Sequence, residues 1–256
     1  MDTDFIHHEL NELVGSIVID RPDARNALTT DMWIALPVVL QQLLKSGARA
    51  IVIEGAQGVF ASGADLTELK ELRTLAQANR FWTAIEDCLN FISNFSLPVI
   101  AMIDGPSVGG GCLLATACDL RYASNRASFA VPVARLGIIL DDASIARLQS
   151  IAGDSFTRKM LFTGATFSAD EAFLHGLVDE LFDAEVLRSE VKRAACNVVK
   201  NEPAAISQIK QSLQRIRQSG GLNSSEQRQT IIDSYLSPEL RKRVGGVIDQ
   251  LQQDKL

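Results

Sequence analysis

The chain has 256 residues, enough for one domain with a sizeable core, and 46% apolar against 22% charged residues excludes a disordered polyelectrolyte. Twenty-five basic and 31 acidic side chains leave a net charge of −6, which argues against general nucleic-acid binding, because phosphate contacts need a concentrated basic face. Cys88, Cys112, Cys118 and Cys196 form no C-x-x-C pair, so neither a disulfide framework nor a bound metal is expected.

The first twelve residues, with Asp2, Asp4, His7, His8 and Glu9, lack the basic start and apolar run of a secretory leader and read as a mobile terminus. No apolar run approaches the roughly 18 residues of a membrane span, so no membrane partner and a cytoplasmic location are expected. Val14 to Asp20 reads as a strand, broken by Arg21-Pro22-Asp23-Ala24-Arg25-Asn26. Met32, Trp33, Leu36, Val39, Leu40 and Leu43 then recur at helical spacing, with Pro37 inside the pattern at a place where a helix can kink. Ala50 to Glu54 reads as a strand covered on both faces, followed by a loop from Gly55 to Gly63. Phe81, Trp82, Ile85, Leu89 and Ile92 mark a second helix, Val99 to Ile103 a second buried strand, and Gly105 its end.

Strand, helix, strand, helix, strand in this order predicts crossover connections and an α/β core. Strand signals stop near Ala184. Beyond it run the helical stripes Ile206, Ile209, Leu213, Ile216 and Leu240, Val244, Ile248, Leu251, separated by Gly220-Gly221 and Pro238. A core over residues 1–190 and a helical region over 191–256 are therefore expected.

Two segments place a glycine-rich turn between a buried strand and a helix start: Phe60 to Leu66, and Gly105 to Cys112. First-turn N–H groups lack partners and carry the positive end of the helix dipole, so an oxyanion is stabilised there. Two such turns aimed at one oxygen form an oxyanion hole. Taken singly, each is equally a tight turn with a cap, Asp65 capping the first.

Ala50-Ile51-Val52-Ile53-Glu54-Gly55 through Gly63-Ala64-Asp65-Leu66 resembles a signature segment of the crotonase (enoyl-CoA hydratase/isomerase) superfamily. So does Pro98-Val99-Ile100-Ala101 through Gly109-Gly110-Gly111-Cys112 and Ala117-Cys118-Asp119-Leu120. The resemblance extends to Arg21-Pro22 and Asn26-Ala27-Leu28 and covers nearly the whole chain. It implies a spiral of β-β-α units with C-terminal helices that assemble a homotrimer or homohexamer. It also implies an acyl-CoA substrate, with coenzyme A part of that substrate and no separate cofactor. The Ala64 and Gly110 N–H groups would hold the thioester oxygen, Asp65, Leu66 and Thr67 would follow along the acyl-CoA site, and Ala24, Arg25 and Ala27 would place the adenosine end.

Hydratases of this family divide proton transfer between two glutamates. Leu113 and Val133 stand at those positions, and neither can move a proton. A carboxylate follows in Leu140-Asp141-Asp142-Ala143-Ser144. Spacing alone favours a helix cap there. The position of Asp141 resembles the catalytic aspartate of some isomerases and of a dehalogenase in the family, which leaves Asp142 as the cap.

An enoyl-CoA isomerase with Asp141 as acid and base is thus the leading expectation. Hydrolysis, dehalogenation or atypical hydration of an acyl-CoA is the second, and a non-catalytic acyl-CoA binder the third. Among weaker candidates, His175 is expected at a helix end, Cys112 in packing, Glu68 and Glu71 in solvent, and Lys210 and Arg215 on a solvated helix face.

Overall fold

The computed structural model describes residues 4–219 and, beyond them, Asp233, Pro238, Lys242 and Val244. Gly220-Gly221 and the stripe residues Leu240, Ile248 and Leu251 lie outside the described residues. Two compact units divide the chain, Met1–Gln211 and Ser212–Leu256, and both sheets belong to the first. Among the described residues no helix is long and apolar enough to cross a membrane.

The strands are β1 (Ile6–Asn11), β2 (Val14–Ile19), β3 (Ala50–Gly55), β4 (Val99–Ile103), β5 (Pro106–Val108), β6 (Leu120–Ser124), β7 (Ser128–Ala130), β8 (Phe167–Ser168) and β9 (Glu180–Phe182). The helices are α1 (Thr30–Lys45), α2 (Leu66–Glu71), α3 (Leu75–Asn94), α4 (Gly110–Ala117), α5 (Asp142–Thr163), α6 (Ala169–Leu174), α7 (Ala184–Val199) and α8 (Pro203–Ser219). The large sheet runs β1-β2-β3-β4-β6-β9, parallel except for the β1–β2 hairpin, and the small one runs β5-β7-β8.

A repeat of strand, second strand, helix emerges from this order. β4 lies in the large sheet, β5 in the small one, and α4 follows; β6, β7 and α5 repeat the pattern. In the two earlier units the second strand shrinks to isolated bridges, Ala61 with Ser107 and Leu28 with Ala64. The fold is therefore the expected crotonase-like α/β spiral.

Helix α1 buries Met32, Trp33, Leu36, Val39, Leu40 and Leu43, each contributing roughly 1.5–3 kcal/mol relative to exposure. It runs through Pro37 without a break. Strand β4 and all of β3 except its last residue, Gly55, are buried because helices cover both their faces. Helix α7 spans the expected boundary after residue 190 and packs Leu187, Val191 and Ala195 on Val52, Ile100 and Met102 of the sheet. The buried Glu54 carboxylate on β3 is held by Arg188 of α7 through two charge-assisted bonds.

The structure corrects two sequence expectations here. His7 and His8 belong to a paired strand, β1, rather than to a mobile end. Lys210 is not a solvated residue: its Nζ donates to Asp119 Oδ2 at 2.6 Å and to the Leu97 carbonyl at 3.0 Å. Burial pushes the Asp119 carboxyl up, against the opposing pull of that ammonium. Removing one member of such a pair strands the other. Lys210→Met is expected to lower the unfolding free energy by about 3 kcal/mol, read from the urea midpoint; an unchanged midpoint would mean the pair stabilises nothing.

Candidate active site

The loop after β3 is braced by the segment that breaks β2. Arg25 and Asn26 both adopt left-handed backbone, φ 52° and 57°, which turns the fully buried Asn26 side chain inward. Its amide donates to the carbonyls of Ala56 (3.0 Å) and Val59 (2.7 Å), while its Oδ1 accepts from the Arg21 N–H (2.8 Å). Ser62 is tied to the Ala24 and Arg25 carbonyls. The Leu28 N–H donates to the Gly63 carbonyl and the Asp65 N–H to the Leu28 carbonyl, at 2.8 and 2.9 Å. Along that bridge Ala64 faces the opposite way, and its own N–H meets no acceptor among the described residues.

The second loop is stitched to the first by Val108 N–H to Ala61 O (2.9 Å) and Phe60 N–H to Pro106 O (3.0 Å). Gly109, at φ 54° and ψ −122°, caps α4 in a conformation side chains rarely adopt, so Gly110 becomes the first helical residue with an unpartnered N–H. The approach is close. A methyl on Gly63, at φ 105°, would lie 2.8 Å from Val108 O and 3.0 Å from Gly110 N, and one on Gly110 would lie 3.3 Å from Ala64 N. Two free N–H groups therefore stand side by side, and only glycine at 63 and 110 leaves their approach open.

The first donor departs from expectation in one respect. Ala64 precedes Asp65, the N-cap of α2, so its N–H is freed by the Leu28 bridge rather than by a helix start.

Both donors open into a cavity of about 390 Å³. Leu66 and Leu69 of α2, Phe81 and Trp82 of α3, and Ile138 and Ile139 of the following loop give it apolar walls. Leu113, Val133 and Asp141 line it with Ala64, Leu66 and Gly110, so six sequence-predicted residues converge. Asp65, Thr67, Ala24, Arg25 and Ala27 do not line this cavity. A second cavity, about 530 Å³, lies against the outer face of the large sheet, where Arg188 and Arg126 already pair the Glu54 and Asp104 carboxylates.

Asp141 is both cavity wall and cap: its Oδ1 accepts from the Ser144 N–H at 2.8 Å, and Asp142 is merely the first residue of α5. The expected division of labour between the two aspartates is thus corrected. With Oδ1 held, Oδ2 has no hydrogen bond among the described residues. Sequence reasoning missed Glu86, a half-buried α3 residue that also lines the cavity. It lies on a helix whose apolar stripe is defined by its neighbours, and a lone glutamate beside a stripe carries no signal.

The remaining candidates resolve into structure. Burial pushes the Cys112 thiol up to about 12, which suits packing and not nucleophilic attack. His175 ends α6 and stacks on Phe156. Glu68 is not solvated as expected; its Oε2 accepts from the Thr30 N–H at 2.7 Å and ties α2 to the start of α1.

Asp65 caps α2 through the Thr67 and Glu68 N–H groups and takes a 2.6 Å bond from Arg21 Nη1. Burial pushes its carboxyl up, but Arg21 and the two N–H donors outweigh this and hold it below its usual 3.8. A depressed folded-state value contributes stability above the unfolded value and loses it as pH falls through the folded one. Between pH 6 and pH 3 the urea midpoint of the wild type is expected to fall more steeply than that of Asp65→Asn; parallel curves would refute the linkage.

The enoyl-CoA hydratase/isomerase family profile matches residues 9–250. A short-chain-enoyl-CoA hydratase of Clostridium acetobutylicum is 32% identical over 204 residues, 79% of this chain and 78% of that protein. The human mitochondrial enoyl-CoA hydratase domain-containing protein 3 is 33% identical over 183 residues, 71% of this chain and 60% of that one. Among solved structures, an enoyl-CoA hydratase/carnithine racemase from Magnetospirillum magneticum superimposes with TM-score 0.90 at 25% identity, covering 98% of this chain and 94% of its own.

Proposed function

The chain belongs to the enoyl-CoA hydratase/isomerase family of the crotonase superfamily, and on that footing we propose that it isomerises enoyl-CoA thioesters. The thioester oxygen is bound by the Ala64 and Gly110 N–H groups, and Asp141 removes a proton from C2. The resulting dienolate carries its charge on that oxygen, and protonation at C4 moves the double bond into conjugation. Donors fixed before the reaction stabilise this charge without reorganisation, the largest single contribution in most such sites.

The observation that carries this reading is the cavity that the two N–H groups share with Leu113, Val133 and Asp141, the last capped with one oxygen left over. Hydration is the second reading, favoured by relatives that bear the name hydratase. It needs a water held between two proton-transfer groups, and two aliphatic side chains occupy the positions where the family's glutamates would do this.

The apolar walls suit an aliphatic acyl chain without polar substituents. Ala24, Arg25 and Ala27 are assigned to the adenosine end on the family resemblance, and the Ala24 and Arg25 carbonyls hold Ser62 of the cavity wall. Assembly as a homotrimer or homohexamer belongs to the same proposal, supported by the exposed Phe162, Phe173 and Leu174.

The test is incubation with 3-enoyl-CoA thioesters of several chain lengths, following conjugation by ultraviolet absorbance. Conversion to the 2-enoyl product is expected. Binding of coenzyme A without conversion, or faster hydration of 2-enoyl-CoA, would overturn the isomerase reading.

A further inference from the structure

The isomerase reading leaves open which group protonates C4, and one side chain in the cavity has no structural task. Glu86 is half-buried, lines an otherwise largely apolar wall, and has neither hydrogen bond nor ion pair among the described residues. No partner among the described residues holds its carboxylate away from a ligand in the cavity. Its position along α3 decides between the tail of the substrate and its reacting end. Ala78, Phe81, Trp82 and Ile85 precede it on the same wall, and Asn90 lies one turn beyond. Asn90 Oδ1 accepts from Arg147 Nη1 (3.1 Å), Arg147 Nη2 donates to Ser144 Oγ (3.0 Å), and the Ser144 N–H is the group that holds Asp141. Glu86 is thus the cavity residue of α3 nearest the node that fixes Asp141.

Resting on the isomerase reading, we propose that Glu86 is a second catalytic residue, the acid that protonates C4 after Asp141 has taken the proton from C2. In this mechanism Asp141 enters as the base and Glu86 as the acid. The C2–H bond breaks, its proton passes to Asp141, and its electron pair forms C1=C2 as the carbonyl pair moves onto the thioester oxygen. On return, the oxygen pair restores C=O, the C1=C2 pair becomes C2=C3, and the former C3=C4 pair takes the Glu86 proton to form C4–H. Asp141 is then protonated and Glu86 ionised; one proton leaves Asp141 to solvent and one enters Glu86 before the next cycle.

The experiment compares wild type and Glu86→Gln on a 3-enoyl-CoA in D2O, reading C2 exchange in recovered substrate and conversion to product. Wild type should place solvent deuterium at C4, and substrate deuterated at C2 and run in H2O should deliver no label to C4. Glu86→Gln should lose conversion by about 100-fold with KM little changed, yet keep C2 exchange through Asp141. Delivery of the C2 label to C4 would overturn the proposal in favour of a single-base shuttle. So would unchanged conversion in Glu86→Gln, or equal loss of exchange and conversion; both leave the isomerase reading intact. A wild type that converts nothing would overturn that reading and this one together.

Discussion

Asp141→Asn is expected to lower conversion of 3-enoyl-CoA by about 10²–10⁴-fold, the range for removing a positioned proton-transfer group. The substitution isolates chemistry from folding for a structural reason. Asp141 Oδ1 accepts the Ser144 N–H at the start of α5, and the asparagine carbonyl accepts the same bond, since asparagine caps as well as aspartate. The unfolding midpoint should stay within a degree or two of wild type, whereas Asp141→Ala should lose about 1 kcal/mol with the cap. Coenzyme A affinity should be unchanged in both. Full conversion by Asp141→Asn would remove Asp141 from the mechanism and make its cap its entire role.

The extent to which this site was legible in the sequence follows from which features produce a local pattern. Helix α1 and strands β3 and β4 were readable because burial repeats along them, every third or fourth residue in the helix and nearly every residue in the strands. The two glycine loops were readable because close backbone approach excludes other residue types. Strand β1 was not, because only Ile6 on it is buried and its hairpin turns at Glu12 and Leu13, at φ 49° and 68°, without the glycine or asparagine that marks such turns. Helix α2 buries no residue and left only its cap, Asp65, as a signal. Glu68, Lys210 and Glu86 draw their roles from partners or walls far along the chain. Proximity of that kind has no trace in local spacing, whereas the cap is local, Ser144 to Asp141, and falls to Asp142 in the sequence only because the resemblance gives Asp141 a catalytic role.

The oxyanion hole allows the sharpest separation of site from fold. Gly110 is the first residue of α4 and lacks the positive φ of Gly63 and Gly109, so its backbone accepts alanine. The new methyl would lie 3.3 Å from Ala64 N and 3.1 Å from Trp33 Cζ2, which places it beside the free donor. An enolate oxygen seated between the two N–H groups would meet that methyl. Gly110→Ala is therefore expected to lower kcat by about 10²–10³-fold, comparable to deleting one donor. Stability should change little, because slight crowding of the buried indole opposes the roughly 1 kcal/mol helix preference of alanine over glycine. Gly63→Ala differs: at φ 105°, with a methyl 2.8 Å from a backbone carbonyl, it should lose stability and activity together. Parallel measurement of kcat and thermal midpoint separates the two. A folded Gly110→Ala protein with wild-type turnover would show that the oxygen does not bind between Ala64 and Gly110, and the enolate mechanism would lose its foundation.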